Sequence, residues 1–297
     1  QGRRDALRHR GGLTMPTTVD IESQRMLVGS TPVRKIYQGT NLLGMRIAEL
    51  FAGSVPGVWY DPSDLSTLFQ DAAGTVPVTG VEQPVGRMLD KSGRGNHASQ
   101  STTTARPILR AESDGGTQRY YLDFDGVDDF MSTASTVNLS TTSKLAAMVA
   151  VYVPPEQTAR ATVLELGASY ANPGCFGAEA PMFTATSVGA GYRGNGVEVA
   201  RSVSAGKDPI GKAVFGMTLD FNAPLAQLRV NGTNRQQGTI SVGPGPFANA
   251  TLFLGVRNGS GQRFKGRLYG AVVCGKQVLS PELNSLEQFL RNKSRAY

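Results

Sequence analysis

With 297 residues, 40% of them hydrophobic and 18% charged, the chain carries enough apolar material for one large domain plus appendages or two small ones, which excludes bulk disorder. Its 36 glycines and 16 prolines follow no collagen period, so they point to many tight turns between short strands. The net charge of +7 is concentrated at the start, where residues 1–50 hold 8 Lys and Arg against 4 Asp and Glu, led by Arg3, Arg4, Arg8 and Arg10. No aromatic residue interleaves those arginines, so they offer no stacking platform for single strands, and no nucleic-acid partner is expected.

In chain order, residues 1–28 show no clear period and read as an extended arm. From Thr31 to Leu42 a short strand, a turn centred on Gly39 and a second strand form a hairpin that needs something larger to dock on. Residues 29–54 are therefore assigned as a small anchoring segment, with Arg34, Lys35, Ile36 and Tyr37 as its candidate anchor residues and a helical turn over 47–52. Residues 55–297 form the main domain. A strand carrying the sole tryptophan, Trp59, ends at the turn Asp61-Pro62. The run from Asp90 to His97 has the chemistry of a turn, with Gly93 and Gly95 free to take positive φ and short polar side chains able to cap. From Tyr120 to Phe130, Leu122 and Phe124 share one strand face, Asp125-Gly126 turns the chain, and Val127 and Phe130 are expected to return to the core. Lys144–Val153 is apolar on both faces and is stopped by Pro154-Pro155. Within it, Leu145 to Val153 is the longest apolar run, far short of the ~20 residues of a membrane span.

Further strands are expected at 162–166, 197–203, 214–221, 227–230, 251–255 and 264–273, with Asn231-Gly232 as a hairpin turn. Ser280-Pro281-Glu282 opens a helix, Ser280 as its N-cap, whose apolar stripe is Leu283, Leu286, Phe289 and Leu290. Two cysteines, Cys175 and Cys274, and two histidines cannot build a Cys/His zinc site, and the cysteines read as separate thiols, with a disulfide between them as the alternative. The arginines at the start have no apolar stretch behind them, so no secretory signal is expected. The pattern as a whole is all-β: a two-sheet antiparallel sandwich with a short C-terminal helix, preceded by the arm and hairpin.

Several segments in this order resemble the concanavalin A-like lectin/glucanase superfamily in its laminin G-like branch, whose fold is a jelly-roll sandwich. They are Asp90-Lys91-Ser92-Gly93-Arg94-Gly95-Asn96, Leu122 to Phe130, Val230-Asn231-Gly232, Leu254-Gly255 with Phe264 to Leu268, and Val278 to Leu283. More narrowly, Trp59 to Asp71 and Arg106 to Leu109 are similar to such domains in tailed-bacteriophage virion proteins. Val33 to Thr40 resembles a segment that precedes phage tail, fibre or baseplate modules. The resemblance implies a virion structural and binding protein, from a tail fibre, baseplate or surface decoration, at the particle surface. Its partners would be other virion proteins, sister copies (a trimer by analogy) and host surface glycan, in host attachment.

Retaining glucanases of that fold pair Glu and Asp at two-residue spacing on one strand. The nearest approach here is Asp123, Asp125 and Asp128, with no Glu, so the chain is read as non-catalytic and without a required cofactor. Glu165 and Glu198 are single strand carboxylates, and His97 merely follows a turn. A polysaccharide depolymerase and a free lectin or adhesin are the alternatives. Asp125 and Asp129 are the candidate calcium ligands, turn capping being the competing role for their oxygens. The candidate carbohydrate contacts are Tyr170, Asn172, Tyr192, Arg193 and Asn195, in Gly-rich loops whose composition suits sugar stacking and subunit contact equally.

Overall fold

The computed structural model describes residues 27–28, 31–32, 35–38, 41–167, 172–194, 201–205, 211–223, 225–239 and 245–297. Its longer strands in chain order begin with β1 (Lys35–Gln38), β2 (Asn41–Met45), β3 (Gly57–Tyr60), β4 (Ile108–Asp114), β5 (Thr117–Asp125), β6 (Met131–Thr133), β7 (Lys144–Val153) and β8 (Thr162–Leu166). They continue with β9 (Phe176–Glu179), β10 (Val188–Tyr192), β11 (Arg201–Ala205), β12 (Gly211–Asp220), β13 (Leu225–Val230), β14 (Thr233–Thr239), β15 (Leu252–Leu254) and β16 (Lys265–Cys274), followed by helix α1 (Ser280–Ser294).

Two antiparallel sheets make a sandwich. The first runs β14-β13-β12-β7-β16-β5-β4 and ends on Gln83–Pro84, with β3 paired to the second half of β16. The second runs β11-β10-β9-β8-β15-β6 and ends on three two-residue segments from the start of the domain. Strand β7 shows why the sequence folds this way. Leu145, Ala147, Val149, Val151 and Val153 enter the core between the sheets, while Ala146, Met148 and Ala150 enter a second apolar layer outside the first sheet. Its apolar character on both faces, read from sequence, is what a central strand covered on both sides requires.

The second layer is capped by α1 and by a short helix over Ile47–Ser54. Leu283, Leu286, Phe289 and Leu290 are buried there, the stripe expected of the helix, and each contributes roughly 2 kcal/mol of burial. Ile47, Leu50 and Phe51 lie beside Trp59, whose ring meets Phe289 edge-on at 5.8 Å. The helix cap differs from expectation: Leu279 occupies the N-cap without a side-chain bond, Ser280 is already helical, and Pro281 falls in the first turn. The Ser280 hydroxyl therefore does not cap the helix. The hairpin is present as β1 paired with β2, and β2 lies against α1.

Where β16 crosses β7, the register slips between Ala150 and Val151, which face Gly270 and Leu268 and leave Tyr269 as the extra residue of a bulge. The bulge changes the phase of β16, so Leu268, Ala271 and Val273 face inward while Tyr269, Val272 and Cys274 face outward. Cys175 and Cys274 are both free and buried, as two thiols. Among the described residues no helix is long and apolar enough to cross a membrane.

Candidate functional site

The turns singled out in sequence prove to be clamps. Asp90 accepts from the Trp59 amide at 2.9 Å, the Ser92 amide at 2.9 Å, the Ser92 hydroxyl at 2.7 Å and the Asn96 amide at 3.1 Å. His97 Nδ1 accepts from the Asp90 amide at 3.0 Å, and burial ahead of the nearby Arg87 holds its pKa below the usual histidine range. His97 is thus a neutral strut at pH 7. Burial pushes the Asp61 carboxyl up, but Lys293 and Lys91 beside it, with the Ser63 hydroxyl, hold it below the usual carboxylate range. Lys293 thereby fastens the end of α1 to the start of the domain.

At the Asp125 turn, Asp125 Oδ1 accepts from the amides of Val127 at 2.7 Å and of Asp128 and Asp129 at 3.3 Å. Asp129 Oδ2 accepts in return from the Asp125 amide at 3.0 Å. Val127 does not return to the core. It stands 74% exposed at the tip of this turn, because Asp125 curls the backbone on itself and Phe124 already fills the space against Gly255. Gly126 holds φ at 79°, and a Cβ there would stand 2.7 Å from the Cβ of Lys265. Asp125, Asp128 and Asp129 present oxygens within 4.8 Å of one another. Burial, then the neighbouring Asp125 and Asp128, pushes the Asp129 carboxyl up to about 6 against the bond it accepts from Asp125. One oxygen each of Asp125 and Asp129 is spent on the turn, which leaves the other oxygens and the Asp128 carboxylate for a cation. Calcium takes six to eight oxygens, so this turn fits it only as a partial, water-completed set.

The candidate carbohydrate residues lie elsewhere. Strands β5, β9 and β15 end, and β8 and β10 begin, at the same end of the sandwich as the Asp125 turn, as shown by Asp125 opposite Lys265, Met131 and Leu164 opposite Leu254, and Thr162 opposite Glu179. Asn172 and Arg193 follow Leu166 and Tyr192, which are joined through Phe176 at the other end. The five-residue length of β8 puts the two ends about 15 Å apart. The aspartates and the sugar candidates therefore do not form one site. Asn172 is exposed, and its loop is tied to Arg193 through the Gly174 amide on the Arg193 carbonyl at 2.8 Å and the Arg193 amide on the Cys175 carbonyl at 2.9 Å. Tyr192 is a correction. It is 2% exposed, with its ring in the core between the sheets, so it has no free face for a sugar. Tyr170 and Asn195 lie outside the described residues, as do Arg34 of the anchor set and Glu198; Lys35, Ile36 and Tyr37 are on β1.

Two surfaces escaped the sequence reading. Phe183, 60% exposed in the loop between β9 and β10, carries the Arg160 guanidinium 5.4 Å from its ring centre, and Glu179 holds that guanidinium with two bonds. On the outer face of the first sheet, Arg267 lies 4.7 Å from the ring centres of both Tyr121 and Tyr152, while Glu112 accepts from Arg267 at 2.8 Å and from the Tyr269 hydroxyl at 3.0 Å. The only signal in sequence was the alternate charged residues of β4 and the charged and aromatic residues sharing a face of β5 and β16, which is also the mark of an ordinary solvated face. A pocket between α1 and β12–β13, lined by Leu145, Asp220, Leu225, Arg229, Leu279 and Leu283, contains none of the candidates.

The fold and clamps together define a two-sheet antiparallel β-sandwich with a helix over one face. No family model and no curated protein matches the sequence. Among solved structures, the chain is similar to the binding domain of botulinum neurotoxin DC in complex with rat synaptotagmin II, with a TM-score of 0.49 and 10% identity over 68% of this chain and 49% of that one. It is also similar to the botulinum neurotoxin serotype G binding domain, with a TM-score of 0.48 and 12% identity over 68% and 48%. An arabinofuranosidase complexed with arabinofuranosyl-alpha-1,2-xylobiose gives 0.49 and 12% over 71% and 51%. The chain spans about half the length of each of these chains. Similarity at that level leaves the functional reading to the chain's own residues.

Proposed function

We propose that the chain is a non-catalytic binding and structural module of a virion, presenting the loop end around Asn172 and Arg193 to glycan or to neighbouring subunits. The observation that carries the non-catalytic reading is that the described buried carboxylates outside the Asp125 turn are occupied, which leaves Asp125, Asp128 and Asp129 as the set a depolymerase would have to use. Glu179 is held by Arg160, Glu287 by Arg229 at 2.7 and 2.8 Å, and Glu165 by the Asn258 amide at 2.8 Å. Asp61 is held by Lys91, and Asp220 caps the Asn222 and Ala223 amides. Glu112 and Asp123 share the outer sheet face, but each is held by an arginine, Arg267 and Arg110. A glycoside hydrolase instead needs one carboxylate free to give a proton and a second free to attack or to activate water.

The virion setting rests on the likeness of Val33 to Thr40 and Trp59 to Asp71 to phage segments. It is supported by a β1–β2 ribbon that lies outside the two sheets, where it can reach a neighbour. The test is to incubate the full chain with a panel of bacterial surface polysaccharides, measuring retention on immobilised glycan and release of reducing ends in parallel. Retention without release is expected, and loss of retention in Asn172→Ala/Arg193→Ala would place it at that loop end. Release of reducing ends would overturn the non-catalytic reading in favour of a depolymerase.

A further inference from the structure

Two Asn-Gly steps among the described residues take the same backbone shape. Asn231-Gly232, between β13 and β14, holds φ at 50° and 75°, and Asn258-Gly259, in the loop between β15 and β16, holds it at 47° and 76°. They differ in what grips the asparagine. Asn231 is partly buried. Its Oδ1 accepts from the Val214 amide at 2.9 Å and its own amide donates to the Val214 carbonyl at 2.7 Å, so the side chain is fixed against β12. Asn258 is exposed, and neither its carboxamide nor the Gly259 N–H has a hydrogen bond among the described residues. Its turn is closed by the Ser260 and Gly261 amides on the Arg257 carbonyl at 3.1 and 3.0 Å, and by the Arg257 amide on the Gly261 carbonyl at 2.8 Å. The Asn258 amide also donates to Glu165 at 2.8 Å, but that amide precedes the Cα–C bond of Asn258, so rotation about the bond leaves it in place.

We propose that Asn258 converts spontaneously, in the folded chain, to aspartate and isoaspartate. Rotation about its Cα–C bond carries the Gly259 nitrogen to the side-chain Cγ, and the missing side chain of glycine leaves the approach open. That nitrogen gives its proton to hydroxide and attacks Cγ. The N–Cγ bond forms, the Cγ–Nδ2 bond breaks, and the leaving nitrogen takes a proton from water and departs as ammonia, which restores the hydroxide. Water then opens the cyclic imide at either carbonyl, so one water is consumed and one ammonia released, with no oxidant or reductant. At Asn231 the same attack has first to pull Oδ1 from Val214 and to break the hairpin pairing of Val230 with Thr233. Conversion adds a negative charge to the residue whose amide holds Glu165. Isoaspartate further adds a methylene to the backbone of a loop whose Gln262 carbonyl holds the Thr162 amide at 2.9 Å and whose Arg263 holds the Asp128 carbonyl at 2.9 Å. The conversion depends on neither the virion nor the glycan reading.

The full chain would be kept in mildly alkaline buffer, folded in one series and held in denaturant in a parallel one, and sampled over weeks. Trypsin separates the two steps into peptides 258–263 and 230–235. Mass spectrometry reads the amide-to-acid change in each, and chromatography resolves isoaspartate from aspartate. In the folded chain Asn258 should convert roughly thirtyfold faster than Asn231, the factor expected of the two hydrogen bonds to Val214. In denaturant the two should convert at similar rates, because each is an Asn-Gly step followed by a hydroxyl residue and the fold no longer tells them apart. Isoaspartate should accompany aspartate at Asn258, as the mark of the cyclic imide. No variant is needed, so a failure to fold cannot confuse the result. Equal rates in the folded chain, an Asn258 that stays intact while the denatured chain converts, or aspartate without isoaspartate would each overturn the proposal.

Discussion

Single carboxylates in this protein do opposite work according to what surrounds them. Asp90 has its oxygens filled by four donors, among them the buried amide of Trp59. Asp90→Ala strands those donors and should cost about 3 kcal/mol, read as a lowered midpoint in chemical denaturation. Asp129 is the reverse case. Its carboxyl, pushed up to about 6 in the fold, compares with about 3.9 in the unfolded chain. A carboxyl whose pKa is raised favours the fold while protonated, so its contribution is whole below about pH 4 and is lost as pH rises through 6. After allowance for solvent screening the loss is about 1–2 kcal/mol. Asp129→Asn keeps an oxygen for the Asp125 amide and should be more stable than the parent at pH 8 and equal to it at pH 4. A variant less stable at pH 8 would show that the charge is welcome there, as it would be with a cation bound.

At the scale of elements, the short helix over Ile47–Ser54 decides where the N-terminal part can be cut. Ile47, Leu50 and Phe51 are buried in the outer layer, and Arg94 fastens the segment by donating to the carbonyls of Phe51 at 2.6 Å and Val55 at 3.1 Å. Deletion through Met45 removes the packing of β2 on α1 and should lower the unfolding midpoint modestly, whereas deletion through Ser54 should cost about a further 6 kcal/mol, at roughly 2 kcal/mol for each of three buried side chains. Calorimetry of the two truncations checks this. The elements legible in sequence are those whose evidence is local: β7 from its double-faced apolar run, the Asn231-Gly232 turn, observed with φ of 50° and 75°, and the stripe of α1. The inward ring of Tyr192 was not legible. Val188, Ala190 and Tyr192 alternate with Gly189 and Gly191 and all three enter the core between the sheets, but the glycines make the segment read as loop, which hides that period. The bulge at Tyr269 and the pairs Arg229–Glu287 and Arg160–Glu179 join residues far apart in the chain, which periodicity cannot see.

For the whole molecule, the separation of the two loop ends makes them thermodynamically independent. Combining Asp129→Asn with Asn172→Ala should give the sum of the separate stability changes to within about 0.5 kcal/mol, and glycan retention should follow the second substitution alone. Coupling beyond that range would show that strain passes along the strands. The buried thiol at Cys274 has a use of another kind. Its Sγ donates to the Leu50 carbonyl at 3.4 Å beneath the short helix, and burial pushes its pKa up to about 12. A thiol-specific reagent attacks the thiolate, so labelling must wait until that helix lifts and the thiol recovers its ordinary acidity. In a chain carrying Cys175→Ser, the labelling rate relative to a free cysteine is therefore a stopwatch for one opening motion, built in by the sequence and readable without a fluorophore.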